Sequence, residues 1–393
     1  MSTSLPAFLP YGRQTIEADD IEAVVSALSC SYLTTGPAVD AFEVSFASTT
    51  GAAHAIACNS GTAALHLAAL AIDLKPGDVA IVPTLTFLAT ANVVRMCGAD
   101  VVFADVDADT GLLTPATLRE ALTRVPAGRT ARVALPVHLN GRICDMPAMA
   151  AIAGEAGIVL IEDACHALGA ADSGATKFSA MACFSTHPVK AIATGEGGMV
   201  TTASAELASR MRRLRSHGMA RDPGAFENAD LGFDGDVANP WYYEMREIGW
   251  NYRLPDPLCA LGMSQLRKLD RFHKRRSEIA ALYDKLLEPL APQIRPVAHA
   301  DGAHGYHLYV VLMDFPALGL TRREVMEKLR KNGVGTQVHY LPVHHQPYYR
   351  RRYAGFSLPG ADAYYARCLS IPFFPAMSDD DAMRVAQSLA NLC

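Results

Sequence analysis

A lysine, two carboxylates and a histidine lie close enough in order to do chemistry together. The run Phe184-Ser185-Thr186-His187-Pro188-Val189-Lys190 comes just before the loop Thr194-Gly195-Glu196-Gly197-Gly198. Upstream, the apolar run Ile158-Val159-Leu160-Ile161 ends in Glu162-Asp163-Ala164-Cys165-His166. An amine in apolar, glycine-rich surroundings can condense with an aldehyde. A carboxylate at a strand end can pair with a protonated pyridine nitrogen and keep the ring an electron sink. Lysine and aspartate in these settings together point to pyridoxal 5'-phosphate (PLP), with Lys190 as anchor and base.

Two further segments fit the same chemistry. Asn59-Ser60-Gly61-Thr62-Ala63-Ala64-Leu65 opens a helical run, and a helix N-terminus presents free amides and a positive dipole end to a phosphate. Ser60, Gly61 and Thr62 are the candidate contacts there. Phe87, after an apolar run, is placed to stack on a pyridine ring. Each feature has a plainer reading. Ser60 can be an ordinary helix cap, Phe87 a core residue, Asp163 a cap and Lys190 a surface lysine. Their order along one chain favours the joint reading.

The elements that must hold these residues follow from apolar periodicity. Strands are expected at Val79–Val82, Val101–Ala104, Val133–Val137 and Ile158–Ile161. Helices are expected at Ala89–Met96, Ala116–Thr123 and Met146–Ala153, with Thr114 and Pro115 as the start signal of the second. Continuous apolar strands alternating with helices predict an α/β fold, a mainly parallel sheet covered on both faces. Ligands gather at the carboxyl ends of such strands, where Asp163 falls. From Pro257 to Leu287 one long helix is expected as a bridge to a smaller α+β domain. That domain would hold a strand at Leu308–Leu312, a helix at Thr321–Asn332 with Gly333 past its end, and a strand at Gly335–Leu341. This places the large domain at 1–260 and the small one at 261–393. The segment Pro223–Met245, rich in Gly, Asn, Asp and aromatics, reads as a long functional loop.

The 393 residues carry a net charge of -5. The basic clusters Arg212-Arg213-Leu214-Arg215, Lys274-Arg275-Arg276 and Arg350-Arg351-Arg352 are short and read as solvated helix faces, so nucleic-acid binding is not expected. The nine cysteines show no Cys-x-x-Cys pair and suggest reduced thiols in the cytoplasm. Cys58, Cys97 and Cys183 read as core residues. The N-terminus, Met1 to Pro6, lacks the pattern of a signal peptide, and no run is long enough to span a bilayer.

The chain resembles the sugar aminotransferases of the DegT/DnrJ/EryC1/StrS family. The resemblance rests on Pro10-Tyr11-Gly12-Arg13-Gln14, Leu33-Thr34-Thr35-Gly36-Pro37, Asn59 to Ala64, Glu162 to Ala167, Phe184 to Lys190, Gly249-Trp250-Asn251-Tyr252-Arg253-Leu254-Pro255-Asp256 and His339 to Tyr349. It implies a type I, aspartate aminotransferase-like fold and PLP as cofactor. It also implies Lys190 as Schiff-base lysine, Asp163 as pyridinium partner and His166 beside the cofactor. Thr62, Ser185 and the backbone of Gly61 would hold the phosphate, with Phe87 near the stacking position. Asn251 would reach the phosphate in a neighbouring subunit, which implies a homodimer with shared sites. Arg253 and His339 would meet substrate anions, and Tyr11 and Thr34 the sugar.

Within the family the chain is most similar to enzymes of the pseudaminic acid pathway, on its N-terminal block, Asn239-Pro240-Trp241-Tyr242-Tyr243-Glu244 and Tyr306-His307-Leu308-Tyr309. That likeness implies amination at C4 of a UDP-linked 4-keto-6-deoxy-N-acetylhexosamine, with L-glutamate as donor. Other nucleotide-sugar aminotransferases and a catalytically silent relative remain open. Family dehydratases carry histidine at the position of Lys190, so Lys190 argues against that activity. Two departures from the family pattern are expected to alter the pocket wall. They are the short segment between Gly169 and Phe184, and Thr186 where an aromatic is usual.

Overall fold

The computed structural model describes residues 8–297, 303–353 and 355–393. The expectation for Met1 to Pro6 therefore lies outside the described residues. A seven-stranded sheet forms the body of the chain: β1 (His54–Cys58), β2 (Asp78–Pro83), β3 (Asp100–Ala104), β4 (Thr130–Ala134), β5 (Val159–Asp163), β6 (Met181–Ser185) and β7 (Gly198–Thr202). Its order is β1-β7-β6-β5-β4-β2-β3. The pairs β2·β3, β2·β4, β4·β5 and β5·β6 are parallel, while β7 runs antiparallel to β1 and β6. The near-continuous burial of β2, β5 and β6 matches a sheet with helices on both faces. Thr114 caps the helix Pro115–Thr123 through its side chain, with Pro115 in the first turn.

A second, antiparallel sheet joins Ile294–Pro296, Tyr309–Met313 and Cys368–Ile371. Helices Leu269–Leu287, Arg322–Lys331 and Asp379–Ala390 pack with it around a separate apolar cluster that includes Ile279, Tyr283, Val311, Leu329 and Leu369. Leu9 also sits in this cluster, whereas Tyr349 and Tyr364 sit in the core of the large sheet. The expected domain boundary at 260/261 falls inside helix Asp256–Leu266.

Four expectations are corrected. The single helix from Pro257 to Leu287 is two, Asp256–Leu266 and Leu269–Leu287, parted at Arg267 and Lys268. The apolar period runs across the break, which is set instead by Lys268 turning to bind Asp19 at 2.5 Å and Asp20 at 2.9 Å. Gly335–Leu341 is not a strand; only Gln337 bridges, to Ser370, because the residues after it turn into a cavity. Residues 223–246 form short turns, a two-strand hairpin (Phe233–Asp234 with Val237–Ala238) and a pairing of Glu244–Met245 with Met219–Ala220. Cys97 is only partly buried, whereas Cys58 and Cys183 are core.

Candidate active site

The carboxyl ends of β2, β5 and β6 open into a cavity of about 690 Å³. Asp163, the last residue of β5, is 6% exposed on its floor. Its Oδ2 accepts the Thr90 hydroxyl at 2.7 Å and its Oδ1 accepts the Cys165 amide at 3.2 Å. Thr90 lies in the first turn of helix Leu88–Met96, and its Oγ1 is 2.8 Å from that of Thr86. A buried carboxylate needs such donors or a cation, and here its orientation is set from two elements. The positions of Lys190 and Asp163 bring the two groups proposed for the chemistry to one cavity.

Lys190 follows β6 on a turn closed by its own amide, which donates to the His187 carbonyl at 2.8 Å. Burial lowers the pKa of its amine, against the opposing pull of Cys165 and Asp163. That direction favours the neutral amine that can act as nucleophile and base.

His166 is fixed from both nitrogens. Nδ1 accepts the Asn140 amide at 3.3 Å, so the ring proton belongs on Nε2, which faces the Tyr340 hydroxyl at 3.2 Å. Burial and the charge of Lys190 hold His166 well below its usual pKa. The His307 ring lies 4.2 Å from it, centroid to centroid. His339 also lines the cavity. Its Nδ1 is 2.8 Å from Ser370 Oγ, and burial pushes its pKa down to about 3. It is therefore neutral near pH 7, which changes its expected role. A neutral ring offers a substrate anion a hydrogen bond and no charge.

At the other end of the cavity, Ser60 caps helix Gly61–Ala71 by accepting the Ala63 amide at 3.1 Å. The first turn leaves the Gly61 and Thr62 amides as donors. Ser185 stands opposite, and a Cβ on Gly61 would lie 2.8 Å from its Cβ. Phe87, 56% exposed, lies at the mouth, its ring 6.1 Å from that of Tyr340. Tyr11 completes the wall.

Three expected site residues are not in this cavity. Thr34 and Arg253 line a separate cleft of about 720 Å³ with Arg212, Arg213 and Arg221. Asn251 is exposed beside β1, its carbonyl accepting from Asn59 Nδ2 at 3.3 Å. The segment that carries Asn251 and Arg253 runs along the outer sheet edge, where the Asn59 amide donates to the Tyr252 carbonyl. Within one chain it does not turn inward. Thr186 is buried against Thr194, with 2.6 Å between the hydroxyls, and does not form the pocket wall. Thr90, Tyr340, His307 and Glu196 were not singled out as site residues. For Thr90 a signal existed, one helical turn after Phe87.

The residues fit PLP on three grounds. Lys190 offers an amine beside the floor carboxylate. Gly61, where a Cβ would fill the space beside Ser185, leaves room for a phosphate at a helix N-terminus. The aromatic edge at Phe87 borders the space between.

Known proteins share the family and the fold of this chain. A sequence profile of the DegT/DnrJ/EryC1/StrS aminotransferase family matches residues 14–390. The chain is 40% identical over 390 residues to the spore coat polysaccharide biosynthesis protein SpsC of Bacillus subtilis (strain 168), covering 98% of this chain and 97% of SpsC. It superposes on PseC of Helicobacter pylori, an aminotransferase involved in the biosynthesis of pseudoaminic acid, with a TM-score of 0.86, 26% identity and coverage of 98% and 99%. On DesI, solved in the presence of its TDP-sugar product, the TM-score is 0.83, with 32% identity and coverage of 99% and 93%.

Proposed function

Because the chain belongs to the DegT/DnrJ/EryC1/StrS aminotransferase family, we propose that it moves an amino group from L-glutamate to C4 of a nucleotide-linked 4-keto-6-deoxy sugar. Membership, with lysine at position 190 where the family's dehydratases carry histidine, makes it a PLP-dependent sugar aminotransferase. The finer reading is amination of UDP-2-acetamido-2,6-dideoxy-L-arabino-hex-4-ulose, a step of pseudaminic acid biosynthesis, carried out in the cytoplasm by a homodimer with shared sites. The observation that carries the reading is that Lys190 and Asp163 line one cavity.

Asp163 would hold the pyridine nitrogen, oriented by Thr90 and the Cys165 amide. Ser60, Gly61, Thr62 and Ser185 would hold the phosphate, and Phe87 would cover the ring. Bound PLP supplies an electron sink and carries the amino group between donor and acceptor. Lys190 Nζ, favoured as the neutral amine by burial, takes the α-proton of glutamate and delivers a proton in return; with the sugar the same transfers run backwards. His166 would orient Tyr340 at the edge of the site through its Nε2–H. Tyr11 and His339 would contact the sugar. Asn251 of the partner subunit, with the partner's Thr34 and Arg253, would complete the phosphate and substrate contacts. That arrangement accounts for their place outside the cavity of their own chain.

A second reading, another nucleotide sugar, is favoured by the higher identity to SpsC, a spore coat polysaccharide biosynthesis protein, than to PseC. DesI, with its TDP-sugar product, adds a second nucleotide to consider. Incubation with PLP, glutamate and UDP-, dTDP- and GDP-linked 4-keto sugars, read by product mass, decides between the readings. Conversion of the L-arabino UDP sugar alone supports the first. Conversion of a different sugar alone overturns it in favour of the second.

A further inference from the structure

We propose that His344, His345 and Asp362 form a binding site for a divalent transition-metal ion such as Zn²⁺, outside the PLP cavity. Among the described residues, the ligand atoms of these three lie within 4.8 Å of one another. His345 Nε2 is 2.7 Å from Asp362 Oδ1 and His344 Nε2 is 3.9 Å from it. Tetrahedral zinc with bonds near 2.1 Å sets its ligands about 3.4 Å apart, and these two separations bracket that value. Two imidazoles and a carboxylate are a ligand set that borderline cations favour.

The ligands stand on well-fixed supports. His344, 9% exposed, is held at Nδ1 by Thr84 Oγ1 at 2.7 Å, and its amide donates to the same oxygen at 3.2 Å. A proton on Nδ1, given to Thr84, leaves the Nε2 lone pair free for a metal, which is how outer groups orient ligating histidines. Asp362 lies in the first turn of helix Pro359–Arg367. Buried Asp105 anchors that turn by accepting the Gly360 and Ala361 amides at 2.9 and 2.8 Å. The side chains of His345 and Asp362 are 42% and 45% exposed, so an ion can enter from solvent and keep water in its remaining positions. On binding, the proton that joins His345 Nε2 to Asp362 moves to Nδ1 or to solvent. Such an ion would tie three segments: the turn Val343–His345, the start of helix Pro359–Arg367, and Thr84 at the head of the loop that carries Phe87.

The test uses PLP-loaded protein, stripped with chelator, incubated with ZnCl₂ and passed through a desalting column. Bound zinc is read by elemental analysis and thermal stability by melting. The proposal expects a single zinc per chain and a zinc-dependent rise in Tm, since an ion that binds only the folded chain stabilises it. Both are lost in His345→Ala and in Asp362→Asn, whose side chains are exposed enough to leave the fold intact. Zinc retained equally by both variants, or none retained by the unsubstituted protein, overturns the proposal.

Discussion

Gly61→Ala is a small change with a large expected effect on cofactor binding. The new Cβ would lie 2.8 Å from Ser185 Cβ, 3.2 Å from Ser185 Oγ and 3.4 Å from Cys165 Sγ. Carbon atoms prefer about 3.5–4.0 Å, so the first contact is short by roughly 1 Å. Ser185 Cβ belongs to the last residue of β6 and cannot rotate away. The helix has little room to retreat toward β7 either, since Gly198 packs so closely on the Ser60 carbonyl that a Cβ built there would lie 2.3 Å from it. Overpacking at such a site costs about 1–3 kcal/mol. If the strain is relieved by opening the proposed phosphate cradle, the Kd for PLP rises roughly 5- to 150-fold. Titration of the apoprotein with PLP, followed by absorbance, reads this directly. A Kd within twofold of the unsubstituted protein, with Tm also unchanged, would refute the claim that Gly61 and Ser185 converge on the phosphate.

Thr90→Val removes the hydroxyl bound to Asp163 Oδ2; a hydrogen bond to a charged group is worth about 1.5–3 kcal/mol. The expected loss in kcat/KM is roughly 10-fold or more, and unchanged steady-state kinetics would contradict the role given to Thr90. His339 has a folded pKa of about 3, below its ordinary 6.5. In that window the unfolded chain holds a proton that the folded chain lacks, so the stability contributed is lost as pH falls from 6.5 toward 3. His339→Gln should flatten that part of a chemical-denaturation profile, and an identical profile would contradict the assignment. For the shared sites, Lys190→Ala and Asn251→Ala chains would be mixed, dissociated and reassembled. With two-fold symmetry, half the dimers are hybrid and each hybrid has one intact site, so activity should recover to about a quarter. No recovery, with hybrids present by mass, counts against the proposal that Asn251 serves the partner subunit.

The sequence was informative where the signal is local. Apolar runs located β2, β3 and β5 to within two residues, and the Thr114-Pro115 start signal was matched by a real cap. Asp163 was legible because it ends such a run, and Lys190 because its flanks are apolar and not charged. What stayed hidden depends on distant partners. Thr90 meets Asp163 across 73 residues and Tyr340 meets His166 across 174. The break at Lys268 depends on Asp19 and Asp20, about 250 positions away, with one contact spanning 249. The segment Gly335–Leu341 reads as a strand in the sequence, yet only Gln337 pairs and the residues after it line the cavity. Asn251, Thr34 and Arg253 belong to the site through family resemblance alone, and the fold of one chain places Thr34 and Arg253 in a separate cleft and Asn251 at the sheet edge.

The most direct test is a single-turnover measurement of 2-oxoglutarate released when glutamate is added to PLP-loaded protein, compared with Lys190→Ala. The account predicts one 2-oxoglutarate per intact site, with loss of the yellow colour, and no release above background from the variant. Release by Lys190→Ala at the rate of the unsubstituted protein would contradict the assignment of Lys190 as the base. Failure of the unsubstituted protein to release any would contradict glutamate as the donor.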